Sequence, residues 1–298
     1  MIYQGIYQDR PVIRQIGILL LIIFACTCLS MLPLVVLQVL APDPMAPSVL
    51  RASLFIQDLF LFILTPILAQ LLLFRESFNR TFGLRGAPFS IFLAGILSIL
   101  TITPVIDFLS EWNKSLQLPD SLAALQLKME QYEQSAEQVL QIILNSPQIS
   151  ILCLNLFLIA IMASVGEELL FRGLIQKLLF RWIGKAHIAV WITAFIFSAI
   201  HMQFFGFIPR LVLGALLGYL FLYSRSLWVC IAVHAFNNAL TLLALPGQPY
   251  NRTWEWTHTL QHTGTSPIWI GSSILLTGIC IGYIYRASLK RLRYDQQI

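Results

Sequence analysis

Apolar positions in this chain come in blocks rather than in the alternation of a half-buried strand or the three-and-four stripe of a soluble helix. Windows of about 20 predominantly apolar residues, the length of a bilayer-spanning helix, fall at 16–40, 52–74, 88–109, 148–170, 186–203, 204–224, 226–246 and 266–286. The pattern predicts an all-α, polytopic membrane protein with about eight transmembrane helices. The first run is too long for a secretory signal and is read as an anchor. One segment breaks the pattern. Over 121–143, Leu122, Leu125, Met129, Tyr132, Ala136, Val139 and Ile143 recur at steps of three and four, with Glu130, Glu133 and Glu137 between them. That spacing predicts an amphipathic helix in the loop between spans three and four. No repeat, linker or composition shift divides the chain, so the expected organisation is a single integral membrane domain over 1–298.

Composition agrees with the pattern. The chain is 57 % hydrophobic and 11 % charged, against roughly 25 % charged for a soluble domain, which excludes an ordinary water-soluble fold. The net charge of +5 does not indicate nucleic acid, because the basic residues stand singly or in short groups beside apolar runs. The five cysteines show neither zinc-site nor disulfide spacing.

Charge also sets the expected orientation. One set of alternate connecting segments and span ends holds Arg10, Arg14, Arg75, Arg80, Arg85, Arg172, Lys177, Arg181, Lys185, Arg225, Arg286, Lys290, Arg291 and Arg293; the other holds Arg51, Lys114, Lys128, Arg210 and Arg252. The positive-inside rule then puts both termini in the cytoplasm. The compact connectors lean towards a bacterial inner membrane, with the amphipathic helix on the outer face.

Ionisable groups inside such spans are costly, about 2.5–3.5 kcal/mol for an acidic residue at a helix centre, and are functional candidates by default. Asp58 and Asp107 lie near span ends and read as helix-end or interhelical contacts. The stretch SVGEELLFRG, Ser164–Gly173, differs: two adjacent glutamates and an arginine interrupt an apolar run. Successive helical residues point about 100° apart, so Glu167 and Glu168 are expected to serve different faces. Glu168 and Arg172, four apart, form a structural ion pair; Glu167 is left as the reactive carboxylate. In FSAIH, Phe197 and His201 share a helical face, and in HAFNN, His234 and Asn238 do. A carboxylate, two imidazoles and a carboxamide on three helices supply a base for water and donors for an oxyanion.

These three motifs, Glu167-Glu168-x-x-x-Arg172, Phe197-x-x-x-His201 and His234-x-x-x-Asn238, resemble those of the CPBP family of intramembrane proteases. That family includes the type II CAAX prenyl endopeptidases, the bacteriocin-processing and immunity proteins and the abortive infection proteins. The resemblance covers about a quarter of the chain, with the catalytic core helices expected over 148–246. It implies an endopeptidase acting on membrane-associated or lipid-anchored peptide substrates. Glu167, His201, His234 and Asn238 are the implied catalytic groups; Glu168, Arg172 and Phe197 are structural support. Two chemistries stay open. Either Glu167 and His201 hold water without a metal, or zinc is bound by His201, His234 and Glu167, a donor set usual for hydrolytic zinc. The rival reading is a non-catalytic membrane scaffold or bacteriocin-immunity protein that uses the same polar cluster for binding.

Three further expectations follow. His258 and His262, also four apart, read as an exposed loop pair. Gly214 and Gly218 form a small-residue pattern suited to packing the catalytic helices closely. From the drawn span edges, Glu167 lies near the cytoplasmic end of span four and His201 near the outer end of span five, so the two meet only if those edges move.

Overall fold

The computed structural model describes residues 5–244 and 266–295. Nine principal helices follow in order: α1 (Val12–Leu40), α2 (Pro47–Leu73), α3 (Phe89–Ser115), α4 (Ala123–Leu144), α5 (Ile149–Ile183), α6 (Ala186–Ala199), α7 (Phe207–Ser224), α8 (Leu227–Ala244) and α9 (Pro267–Asp295). No strand occurs among the described residues. The helices start and stop where backbone chemistry requires. Pro11 and Pro88 precede α1 and α3, and Gly184, at φ +74°, closes α5 in the left-handed conformation that glycine adopts without a Cβ penalty. Large apolar side chains such as Leu21, Phe24 and Leu32 on α1 and Phe195 on α6 point outward, as a lipid solvent requires.

Seven helices, all but α4 and α6, are long and apolar enough to cross a membrane. The remaining expected span is α6, whose 14 residues extend only about 21 Å, short of a hydrocarbon core of about 30 Å. Its C-terminal end therefore stops at membrane depth. The turn that follows, 200–206, is irregular, and Met202 adopts φ +53°. Irregular backbone at that depth persists where protein buries it or it borders a cavity. Here Asn113 of α3 supplies the polar partners: its Nδ2 donates to Phe204 O (3.0 Å), and its Oδ1 accepts from Ile208 N (2.8 Å). Ser198 Oγ donates to Phe207 O (2.6 Å).

The depth mismatch disappears for the same reason. Glu167 lies 17 residues before Gly184 and His201 17 residues after it, so an antiparallel hairpin turning at Gly184 brings the two level. The 35-residue α5 places Glu167 near its middle rather than at a cytoplasmic end. Two π-helical stretches, Leu156–Met162 and Leu169–Gln176, flank the α-helical Ala163–Glu168, and a third, Asp58–Leu64, lies within α2. Gly166 is where α5 meets the π turn of α2: a Cβ there would stand 2.5 Å from Phe62 Cβ.

Gly214 and Gly218 do pack α7 closely against α6. Added Cβ atoms would meet Phe197 at 3.1 Å and Val190 at 2.8 Å, both on α6. The carbonyls they bare accept from Arg172 Nη2 and Gln176 Nε2, each at 3.1 Å.

The amphipathic helix is found as α4, with its face rotated from expectation. Met129, Ala136, Val139 and Ile143 are at least partly covered, but Leu122, Leu125 and Tyr132 are exposed, and Glu133 lies on the covered side. A polar latch holds its C-terminal end. Arg51, assigned by charge to an outer loop, is buried in the first turns of α2, where its Nε donates to Asn155 Oδ1 (2.8 Å) and its Nη2 to Ile143 O (2.6 Å). Arg172 is likewise fully buried, and Arg210, partly exposed, lines a cavity rather than a flanking loop, which leaves the charge asymmetry of the other basic residues intact.

Candidate active site

α5, the end of α6 and α8 bring the motif residues to one place. Glu168 and Arg172 are fully buried, and Arg172 Nη1 donates to Glu168 Oε1 at 2.7 Å, the expected ion pair. The guanidinium also lies over the Phe197 ring, 4.8 Å from its centroid. Phe197 is the hub of this layer, with ring contacts to Phe171 (5.1 Å), His201 (5.2 Å) and His234 (5.9 Å).

The two glutamates do not serve separate partners, as their divergence on the helix led us to expect. Both reach His234. Its Nδ1–H donates to Glu168 Oε1 at 2.8 Å, while its Nε2 stands 3.7 Å from Glu167 Oε2. Adjacent carboxylates diverge, but the two nitrogens of one imidazole diverge as well, so a ring inserted from α8 meets both. Glu168 is thus more than a clamp for Arg172: it fixes the orientation of His234, as a carboxylate orients histidine in a hydrolytic triad. The sequence gives no sign of this contact, because the partners are 66 positions apart.

His201 is oriented by backbone. Its Nδ1–H donates to Phe197 O at 2.8 Å, leaving Nε2 as an acceptor. Asn238 contributes an amide whose Nδ2 donates to Ser164 Oγ (3.3 Å) and Ile159 O (3.4 Å). Both bonds lie at the long limit and hold the group weakly.

Two cavities meet at this cluster. The first, about 650 Å³, is lined by Glu167, His201, His234, Asn237 and Asn238, with Asp58, Asp107 and Arg210 also on its wall. Asp58 and Asp107 thus belong to the chamber rather than to isolated helix ends. The second, about 630 Å³, also has Glu167 and His201 on its wall. The rest of it is almost wholly apolar, with Leu19 and Ile23 of α1, Phe62 of α2 and Ile175 and Leu179 of α5. Glu167 and His201 therefore stand where a polar and an apolar chamber adjoin.

His201, His234 and Glu167 are chemically suited to zinc. Among the described residues, however, no three His, Cys, Asp or Glu side chains converge as a metal site requires. His258 and His262 lie outside the described residues.

No curated protein and no solved structure matches the chain. Residues 149–240, the stretch from the start of α5 to the Asn238 turn of α8, match the Rce1-like family, described as type II CAAX prenyl endopeptidase Rce1-like. The segment that carries this polar cluster therefore resembles the Rce1-like type II CAAX prenyl endopeptidases, consistent with a CPBP family protease.

Proposed function

We propose that the protein is an intramembrane endopeptidase that hydrolyses a peptide bond in membrane-associated or lipid-anchored substrates, with water activated by Glu167 and His201. The observation that carries this reading is the convergence of Glu167, His201, His234 and Asn238 on one polar chamber. Water between Glu167 and His201 has an acceptor for each proton, the carboxylate and Nε2, which leaves an oxygen lone pair for attack on the scissile carbonyl carbon. Glu167 takes the proton as the C–O bond forms. The oxyanion then accepts from the Asn238 amide and from His234 Nε2 in the imidazolium form, which Glu168 stabilises through Nδ1. Collapse breaks the C–N bond, and the proton on Glu167 passes to the leaving amine. No step requires a metal.

The adjoining apolar chamber supports a lipid-bearing substrate, because its walls offer an acyl or prenyl chain a water-free path beside the reacting groups. Both termini in the cytoplasm of a bacterial inner membrane belong to the same proposal, supported by the charge asymmetry. The test is mass spectrometry of short peptides from membranes containing either wild-type protein or Glu167→Ala. Peptides released only by the wild type identify both activity and substrate; identical peptide pools, with both proteins inserted, overturn the reading.

A further inference from the structure

The two ends of the helix bundle differ in charge and in what they enclose, and cross-helix contacts fix which helix ends share a face. On one face, Arg51 at the start of α2 meets Ile143 of α4 and Asn155 of α5. Leu242, near the end of α8, packs in the same cluster as Leu50, Ile143 and Leu144, and Asn113 at the end of α3 holds the start of α7. On the other face, Arg181 near the end of α5 donates to Gln15 of α1 at 3.1 Å, and Ser226 Oγ, just before α8, donates to Arg85 O ahead of α3. The basic residues of the connecting segments gather on this second face, in 10–14, 75–85, 181–185 and 286–293 and at Arg225. Among the described residues, the α4 face exposes only Lys114 and Lys128. The polar chamber runs from the level of Glu167 towards the α4 face. Its wall takes Asp58 from the first half of α2, Ser110 from the last turns of α3, Leu140 from α4, Gly206 from the turn before α7 and Thr241 from the last turn of α8. The short α6 makes the room, because it ends at Ala199 and only the turn 200–206 continues beyond it. The apolar chamber runs the opposite way, along the first half of α1 and the second half of α5.

We infer that substrate reaches Glu167 and His201 from the extracytoplasmic side, through the α4 face, an assignment that rests on the endopeptidase reading above. Basic segments flanking membrane helices stay in the cytoplasm, so the face that carries them is the cytoplasmic one and the chamber faces away from it. The substrate class follows from the order of the two chambers across the membrane. It is an exported peptide or lipid-anchored protein whose polar part stands outside the cytoplasm, with an apolar segment or lipid chain that reaches deeper, past Glu167 and His201. A protein anchored only to the cytoplasmic leaflet does not reach the site.

The test uses the full-length protein in intact bacterial cells and a membrane-impermeant maleimide, with the labelling of the wild type subtracted as the background of its own cysteines. Three substitutions report position: Gln134→Cys on the exposed side of α4, Thr241→Cys on the chamber wall, and Arg80→Cys on the opposite face. Gln134→Cys and Thr241→Cys are expected to label in intact cells as fully as after permeabilisation, and Arg80→Cys only after permeabilisation. Labelling of Arg80→Cys but not Gln134→Cys in intact cells overturns the orientation. Gln134→Cys labelled with Thr241→Cys protected overturns the route of entry. Ser110→Cys repeats the chamber measurement if Thr241→Cys does not fold. A second arm presents one lipidated peptide to sealed right-side-out and inside-out vesicles that contain the protein. Cleavage is expected in the right-side-out vesicles and is lost in the inside-out ones until detergent opens them. The reverse preference, equal rates in both, or cleavage only in detergent overturns the inference and leaves the endopeptidase reading standing. No cleavage under any of these conditions, with peptide pools that match those of Glu167→Ala membranes, overturns that reading, and the labelling alone then decides from which side the chamber is reached.

Discussion

Replacing Glu168 by Gln separates the two jobs its carboxylate performs. Its Oε1 accepts from Arg172 Nη1 at 2.7 Å and from His234 Nδ1 at 2.8 Å, at a site with no solvent access. Glutamine keeps the shape and removes the charge, so Arg172 becomes an uncompensated buried cation, a change that costs about 3–5 kcal/mol. Arg172 keeps the Gly214 carbonyl at 3.1 Å and the Phe197 face at 4.8 Å, which puts the loss near the lower end. About 3 kcal/mol lowers the unfolding midpoint by roughly 6–12 °C for a domain of this size. The catalytic effect is separate. A carboxamide can turn an N–H towards Nδ1 and stabilises the imidazolium poorly, so the rate per folded molecule is expected to fall by about 10²–10⁴. Arg172→Met destabilises by a similar amount but leaves the carboxylate beneath His234, so its rate per folded molecule falls far less. The double variant regains stability, because neither charge is left alone, and does not regain activity. Tryptophan-detected melting in detergent and peptide cleavage normalised to folded protein read the two effects. A Glu168→Gln protein that melts early yet cleaves at the wild-type rate per folded molecule would refute the orienting role and leave Glu168 a clamp only.

Two other perturbations test different parts of the account. Asn113→Leu strips both hydrogen bonds from the turn that carries His201, leaving Phe204 O and Ile208 N unpaired at about 1–3 kcal/mol each. Amide exchange over 200–208 should quicken and kcat should drop, and unchanged exchange there would contradict the role given to Asn113. In the proposed mechanism Glu167 and His201 activate water unaided, so exhaustive chelation followed by dialysis should leave cleavage intact; activity lost and then restored by zinc would overturn that mechanism.

Several of these contacts were legible in the sequence and others were not, for identifiable reasons. Runs of Leu, Ile and Phe between charged ends disclose the helices because lipid demands apolar length. The i, i+4 spacing of Glu168 and Arg172 discloses their pair because both sit on one helix. The level meeting of Glu167 and His201 was also readable, as equal distances on either side of Gly184. Apolar length alone hides it, because the run 186–203 has the composition of a full crossing while α6 is a 14-residue helix. Contacts between separate helices leave no such trace. The hold of Glu168 on His234, the grip of Asn113 on the 200–206 turn and the Arg51–Asn155 latch each join positions 66 to 104 residues apart. Arg51 and Arg210 were counted as loop charges because a basic residue between apolar runs ordinarily lies in the headgroups. No residue pattern marks the π turns that flank the Glu167 segment.

The most direct test of the central claim is cleavage of a lipidated peptide by purified protein in water enriched in oxygen-18, with the products weighed by mass spectrometry. The account predicts one heavy oxygen in the new carboxylate of the N-terminal product from a single turnover, and no product from Glu167→Gln that is folded by its melting curve. Wild-type rates in the Glu167→Gln protein, or a wild type that forms no product from any membrane peptide, would contradict it.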